Sequence, residues 1–389
     1  MFWKIEITGK SAEIHGYLLD EGKKIHQFIV SSLLHTDYEC RTDTSVLDWK
    51  LRLFRNSGNG SCPNLGLIEK QEEHTFRTVK LTPIRRTSMG LPHDRSHLLW
   101  TDAPTARFIE SIDRWTKTLM DDDPSGTRAI PITQATAKII AKESGILAGR
   151  PVLNRLFANN CHNSNLKWNI SEGDEFQVGD VILTIEADGM EIVSVERAAM
   201  NLITRMSGIA TETSKWVKIL DEVAIAATRK TLWGVLDKWA VHVGGGLTHR
   251  IDRSDAPMIK ENDMALSTFS LTEQMSDPAL NSDFLVIEVI SMEHALTVAR
   301  EWKNNMQRNE TTYLLTLLLD NMGPEGSLDV VRQLETESLR DGLVLEGSGG
   351  VRTSELDRWS NSGMDVVSSG ALTMESSPID MTMLMEADR

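Results

Sequence analysis

The sequence predicts an α/β protein in two linked parts, preceded by a further α+β segment. Three observations carry that reading. From residue 221 onward, short apolar runs (EVAIAAT, APMIK, FLVIEVI, LLTLLLD, GLVLEG, MDVVSSG) alternate with helical stretches such as TLWGVLDKWAVHV and MEHALTVAREWKNN. Repeated strand–helix units specify a parallel sheet, either a barrel or doubly wound. Residues 129–191 instead alternate apolar and polar side chains between the turn pairs Ser144-Gly145, Gly173-Asp174, Gly179-Asp180 and Asp188-Gly189, the pattern of strand-rich hairpins. Between these parts, residues 195–220 read as one long helix with the apolar stripe Val195, Ala199, Leu202, Met206, Ile209 and Thr213.

In chain order, residues 1–103 form an N-terminal extension, expected to be a small α+β domain with a linker near 86–98. KIEITG alternates as a strand does, and FIVSSLL does so less cleanly. The histidines here (His15, His26, His35, His74, His93, His97) are read as surface or core residues, with no ligand set assigned. Residues 104–120 place Phe108, Ile109, Ile112, Trp115 and Leu119 on one helical face, and Asp121-Asp122-Asp123-Pro124 reads as a solvated helix end. The expected boundaries are 1–103, 104–201 with the Met-rich tail 374–389 packing back as core, and 202–373.

Composition excludes several classes. The 389 residues carry 40% hydrophobic and 25% charged side chains and a net charge of -15, against general nucleic-acid binding. Cys40, Cys62 and Cys161 have no metal-ligand spacing and suit a reducing compartment. No apolar run approaches a membrane span, and the N-terminus lacks a signal-type apolar core, so a cytoplasmic protein is expected.

Against that acidic background, residues 227–263 concentrate Arg229, Lys230, His249, Arg250 and Lys260 around Gly244-Gly245-Gly246. Arginine forks match carboxylates and phosphates, and lysine adds a point charge, so this stretch suits a small, highly anionic ligand. A solvated basic loop with a glycine-rich turn is the competing reading. The remaining polar residues fall at strand ends: Glu288 in VIEV, Asp320 closing LLLD, Ser348-Gly349-Gly350 after VLEG, and Gly370-Ala371 after VVSS. Catalytic groups of (β/α) barrels sit at that end, and the last two loops are their usual phosphate grip. Backbone N–H groups at such turns cradle a phosphate.

In order and spacing, TRKT (228–231), GGG followed by His-Arg, and IKEN (259–262) resemble the quinolinate phosphoribosyltransferase family, the carboxylating nicotinate-nucleotide pyrophosphorylases. VERAAMNLITRMSGIAT (195–211), VIEV, LLDNM (318–322), LEGSGGV (345–351) and SSGALT (368–373) add to the resemblance, which spans roughly 104–389. It implies an open α/β barrel of fewer than eight strands, of the type II phosphoribosyltransferase kind, and a homodimer or higher homo-oligomer with shared active sites. It further implies phosphoribosyl transfer from phosphoribosyl pyrophosphate to quinolinate with decarboxylation and Mg²⁺. By the resemblance, Arg197 from the neighbouring subunit, Arg229, His249, Arg250 and Lys260 bind the dicarboxylate. Lys230 touches both ligands near the leaving pyrophosphate, Glu288 and Asp320 face the ribose and Mg²⁺, and Ser348, Gly349, Gly350, Gly370 and Ala371 hold the 5′-phosphate.

The chain departs from the family pattern at Thr127, Ala227, Trp233, Asp263 and Met374. The departures flank the cations and leave them intact, so they bear on which acid is used rather than on phosphoribosyl transfer. Two alternatives follow: a relative acting on nicotinate or another aromatic acid, and a barrel that binds anionic nucleotides without catalysis.

Overall fold

Two-residue alternation opens the chain as β1 (Phe2–Thr8), which pairs antiparallel with β2 (Ser11–Leu19), and β2 pairs antiparallel with β3 (Ile25–Leu33). Two further antiparallel pairs follow, β4 (Tyr38–Thr42) with β5 (Leu51–Arg55) and β6 (Leu67–Lys70) with β7 (Phe76–Val79). In this computed structural model the described residues are 90–124, 134–260, 284–309 and 314–387, with Glu273 and Met275, and the backbone of these seven strands. Contacts divide the chain into the units Met1–Arg86 and Thr87–Arg389. The division therefore falls at 86/87, not at 103, and the expected linker at 86–98 is for the most part structure of the second unit. Leu99 and His93 are both fully buried there. The helical part of the expected α+β extension has no counterpart among the described residues of the first unit.

In the second unit, Thr105 caps α1 (Ala106–Asp122) by accepting the Phe108 amide, and the helix buries Phe108 and Ile112. The hairpin region gives β8 (Gln134–Ala141), β9 (Gly145–Ile146), β10 (Asn165–Trp168), β11 (Glu175–Phe176) and β12 (Val181–Asp188). Sequence reading did not single out α2 (Arg150–Asn160), which begins at Gly149 (φ 117°) and a proline in its first turn. Asp188 then ends β12 and caps α3 (Gly189–Leu220), accepting the amides of Met190 and Glu191. The turn expected at Asp188-Gly189 is thus a strand-to-helix junction. The boundary expected at 201 falls inside this single 32-residue helix.

The six apolar runs become six parallel strands: β13 (Ala224–Ala227), β14 (Met258–Ile259), β15 (Leu285–Val289), β16 (Leu315–Asp320), β17 (Leu343–Ser348) and β18 (Val366–Ser369). Their order, β13-β18-β17-β16-β15-β14, returns the first strand to the side of the last. Leu247 bridges Ala226 on the other side of β13. Among the described residues, the barrel is therefore open between the Leu247 segment and β14. Helices described between and after these strands include α4 (Val235–Val243), α5 (Met292–Asn309), α6 (Gly323–Thr336), α7 (Leu356–Trp359) and α8 (Ala371–Met374). Finally β19 (Met381–Ala387) pairs antiparallel with β8, giving the sheet β10-β12-β8-β19. The tail approaches α3 so closely that a Cβ on Gly208 would lie 2.1 Å from the Ser377 carbonyl oxygen.

Candidate active site

Parallel strands of apolar residues end together, so the polar residue that ends each run faces the same rim. Asp320 closes β16 beside Ser348, the last residue of β17. Glu288 lies one residue before the end of β15, and Lys260 follows β14 directly; their side chains form an ion pair. Burial pushes the Asp320 carboxyl above its ordinary range, Glu288 adds to the rise, and Lys260 and Lys230 oppose it. Two carboxylates and two lysines therefore share one neighbourhood. A Cβ on Gly370 would lie 2.9 Å from Lys230 Cδ, so the missing side chain at Gly370 makes room for this lysine.

The loop carrying Arg229 and Lys230 is built around Asp237, which is fully buried in α4. Its carboxylate accepts the amides of Leu232 and Trp233 at 2.9 and 3.1 Å and two guanidinium bonds from Arg205 at 2.8 and 3.0 Å. Trp233 lies 5.2 Å from the Arg205 guanidinium and faces Trp115, so this departure from the family pattern is packed. Ala227 is the buried last residue of β13, and Met374 is exposed at the end of α8. Thr127 and Asp263 lie outside the described residues.

The glycine triplet serves packing rather than ligand contact. A Cβ on Gly244 would lie 2.3 Å from the Ala210 carbonyl oxygen of α3, and one on Gly246 would lie 2.7 Å from Val241 Cγ1. The triplet turns the chain from α4 into Leu247 and then Thr248, whose carbonyl accepts Lys238 Nζ at 2.6 Å. The same lysine reaches the Ala227 carbonyl at 3.4 Å. Lys238 thus ties together the residues that precede both cation pairs. Burial, followed by Arg229 and Arg250, lowers its pKa to about 7.

His249 departs from its expected role. Its side chain is buried, Nε2 lies 3.1 Å from Glu346 Oε1, and Nδ1 accepts the Arg250 amide at 2.7 Å. Both ring nitrogens are used within the protein, which makes the ring a support in this arrangement. Arg250 is also largely buried, donating to the Ala256 carbonyl at 3.0 Å. Burial lowers its pKa, and Arg229 and Arg253 lower it further. Arg229 and Lys230 are exposed.

On the opposite side, Gly349 and Gly350 have φ of 89° and 66°, a region that favours glycine. Ser348 Oγ accepts from Ser368 Oγ at 3.3 Å. The Ala371 amide turns onto Ser369 Oγ at 3.1 Å, so this N–H is engaged within the loop. Arg197 stands apart from all these residues within one chain. It is exposed on α3, lining a concavity with Glu143, Thr204, Asp380 and Met381.

Sequence reading missed the layer that holds the cations: Arg205, Asp237, Lys238, Glu346 and His93. The only signal for it was charged residues inside apolar helical or strand patterns, as in VLDKWAV and LVLEGS.

Sequence models of two domains match the chain: Quinolinate phosphoribosyl transferase, N-terminal domain, over residues 122–207, and C-terminal domain, over residues 209–384. A probable nicotinate-nucleotide pyrophosphorylase (carboxylating) of Methanothermobacter thermautotrophicus is 32% identical over 259 residues, 64% of this chain and 88% of that protein. Quinolinate phosphoribosyltransferase (decarboxylating) 1 of Nicotiana glauca is 31% identical over 267 residues, 67% of this chain and 76% of the relative. Among solved structures, NadC from Streptococcus pyogenes superposes with a TM-score of 0.63 at 27% identity, over 75% of this chain and all of that one. With both domains matched in order and the strand-end residues gathered at one rim, the chain belongs to the quinolinate phosphoribosyltransferase family.

Proposed function

We propose that this protein transfers the phosphoribosyl group of phosphoribosyl pyrophosphate to quinolinate and releases its 2-carboxylate, giving nicotinate mononucleotide, pyrophosphate and carbon dioxide for NAD biosynthesis. One observation carries the reading. Lys230, Lys260, Glu288 and Asp320 interact at one rim, between the Arg229/Arg250 pair and the Ser348–Gly350 loop. Such a rim meets a dicarboxylate on one side and a phosphorylated ribose on the other.

Chemically, the pyridine nitrogen bonds to C1 of the ribose as the C1–O bond to pyrophosphate breaks. The ring nitrogen is then cationic, the neighbouring carboxylate departs as carbon dioxide, and the electron pair left on C2 takes up a proton. The residues orient and balance charge; no protein nucleophile is required. Arg229, Arg250 and Lys260 bind the acid's two carboxylates, with His249 supporting Arg250 from below. Lys230, exposed and near Asp320, steadies the departing pyrophosphate. Ser348, Gly349, Gly350, Gly370 and Ala371 surround the 5′-phosphate. Glu288 and Asp320 fit Mg²⁺, which typically takes one or two carboxylates plus substrate oxygens, and would there neutralise pyrophosphate charge. Because Arg197 stands apart within one chain, it serves the site of a second subunit in a homodimer or larger assembly. A cytoplasmic location is part of the same reading; no described helix is long and apolar enough to cross a membrane.

The test offers quinolinate and nicotinate separately with phosphoribosyl pyrophosphate and Mg²⁺. Nicotinate mononucleotide with stoichiometric carbon dioxide from quinolinate alone is expected. Product from nicotinate alone would reassign the acid, and no product from either would refute catalysis.

A further inference from the structure

Residues 91–107 precede both matched domains, yet they strap the loop 247–256. The Arg95 amide donates to Thr248 Oγ1 at 2.8 Å, and Thr248 Oγ1 donates to the His93 carbonyl at 3.4 Å. Arg95 Nε and Nη2 donate to Asp255 Oδ1 at 2.9 and 2.7 Å, while Asp255 Oδ2 accepts the Ile251 amide at 2.8 Å. Arg107 pairs with Asp252. His93 goes deeper. It is fully buried, with Nε2 2.9 Å from Glu346 Oε2, and the same carboxylate holds His249 Nε2.

The ring protons follow from the partners. His249 Nδ1 accepts the Arg250 amide, so the proton of the neutral ring is on Nε2, facing Glu346. His93 Nδ1 has no partner among the described residues, and its Nε2 donates to the other carboxylate oxygen. Burial raises the Glu346 pKa, but the charge and hydrogen bonds of His249 and then His93 outweigh it and hold the carboxyl below its usual range. Burial keeps His249 below its ordinary range as well. One carboxylate thus accepts from Nε2 of both imidazoles. Phe284 packs on both rings, with centroids 4.7 and 5.2 Å away. The three side chains also converge as metal ligands do. A metal on His249 Nε2 would need the proton on Nδ1, facing the Arg250 N–H, and two donors cannot share that contact.

His249 has a φ of 51°, a left-handed conformation uncommon outside glycine. Locking its ring locks that turn, and the turn sets the direction of Arg250. We infer that His93 is a positioning residue of this active site: through Glu346 it fixes the ring and tautomer of His249, and through that turn the aim of Arg250. The last step rests on the proposed binding of a dicarboxylate by Arg250.

The test compares H93Q with H93N in the full chain. Glutamine places an amide donor near the lost Nε2, and asparagine falls short of Glu346. Imidazole ¹⁵N spectra are expected to show His249 as the fixed Nε2–H tautomer in the wild type and H93Q, and as an averaged ring in H93N. H93N should raise the quinolinate KM about tenfold, the value of one lost hydrogen bond. The phosphoribosyl pyrophosphate KM should stay within about twofold, and H93Q should recover most of the loss. An unchanged His249 spectrum in H93N, both KM values rising together, or stoichiometric zinc held by the wild type and lost in H93N would each overturn the proposal. If the wild type fails to use quinolinate while the tautomer still follows His93, the proposed function fails and the His93–Glu346–His249 coupling stands.

Discussion

The two sides of the barrel rim solve opposite problems. The side from β13 to β14 must hold Arg229, Lys230, Arg250 and Lys260 close together against their mutual repulsion. It does so with side chains and a buried layer beneath them: Asp237 on Arg205 and two amides, Lys238 on two carbonyls, and Glu346, contributed by β17, between two histidines. The side from β16 to β18 needs backbone and space. Its β16 and β17 are six-residue strands that pair regularly, and glycines at positive φ follow β17. Gathering like charges takes buried polar partners beneath them, whereas a backbone cradle takes only the residues that leave room.

If that contrast is right, the cation side should be most vulnerable in its buried layer. D237N leaves Arg205 without its ion pair, although Asn can still accept a hydrogen bond. Breaking a buried pair costs about 3–5 kcal/mol, so a large fall in the urea midpoint is expected. The side chain lies beneath the loop rather than in the rim, so a variant that loses activity with no change in stability would contradict this placement.

The backbone side should instead be sensitive to added atoms. A Cβ on Gly349 would lie 2.3 Å from Asn321 Oδ1 and 2.6 Å from its backbone nitrogen, while one on Gly350 meets nothing within 4 Å. Both positions strain an alanine through positive φ, by about 1 kcal/mol. Only G349A must also displace Asn321, the neighbour that donates to Asp320 at 2.8 Å. G349A is expected to lower kcat/KM for phosphoribosyl pyrophosphate about 100-fold or more and G350A about tenfold or less. Equal losses would mean that φ, not the close approach, governs this loop.

The same contrast explains what the sequence made legible. Six apolar runs ending in polar residues announced the six strands and their shared rim, because parallel strands buried on both faces must be continuously apolar. Gly349 and Gly350 stood out because glycine next to a strand end has few other uses. The support layer was hidden because its partners are remote: His93 and Glu346 are 253 residues apart, and His249 and Glu346 are 97 apart. A buried Asp237 in VLDKWAV reads like any solvated helix residue until its partners are known. His93 and His97 stand four apart, a spacing that suggests paired ligands, yet only His93 is buried and His97 is exposed. The missed α2 has a local cause. Val152, Leu153, Leu156 and Phe157 repeat at helical spacing, but Pro151 and the turn residues around it read as a break between strands.

A smaller and slower signal separates the two sides through pH. Lys238 has a pKa near 7 in the fold, against 10.5 for an ordinary lysine, chiefly because burial disfavours its charged form. Between those values the unfolded chain binds more protons than the folded one, so stability rises with pH from about 7 to about 10 and is level below 7 as far as this group is concerned. The slope is at most about 1.4 kcal/mol per pH unit. K238M removes the titrating group, so the wild type should gain on it by on the order of 2 kcal/mol between pH 7 and 9 in urea unfolding. Parallel stability curves across that range would show that Lys238 keeps its charge and that its two carbonyl acceptors, not burial, dominate. G350A keeps Lys238, so it should track the wild type across the same range.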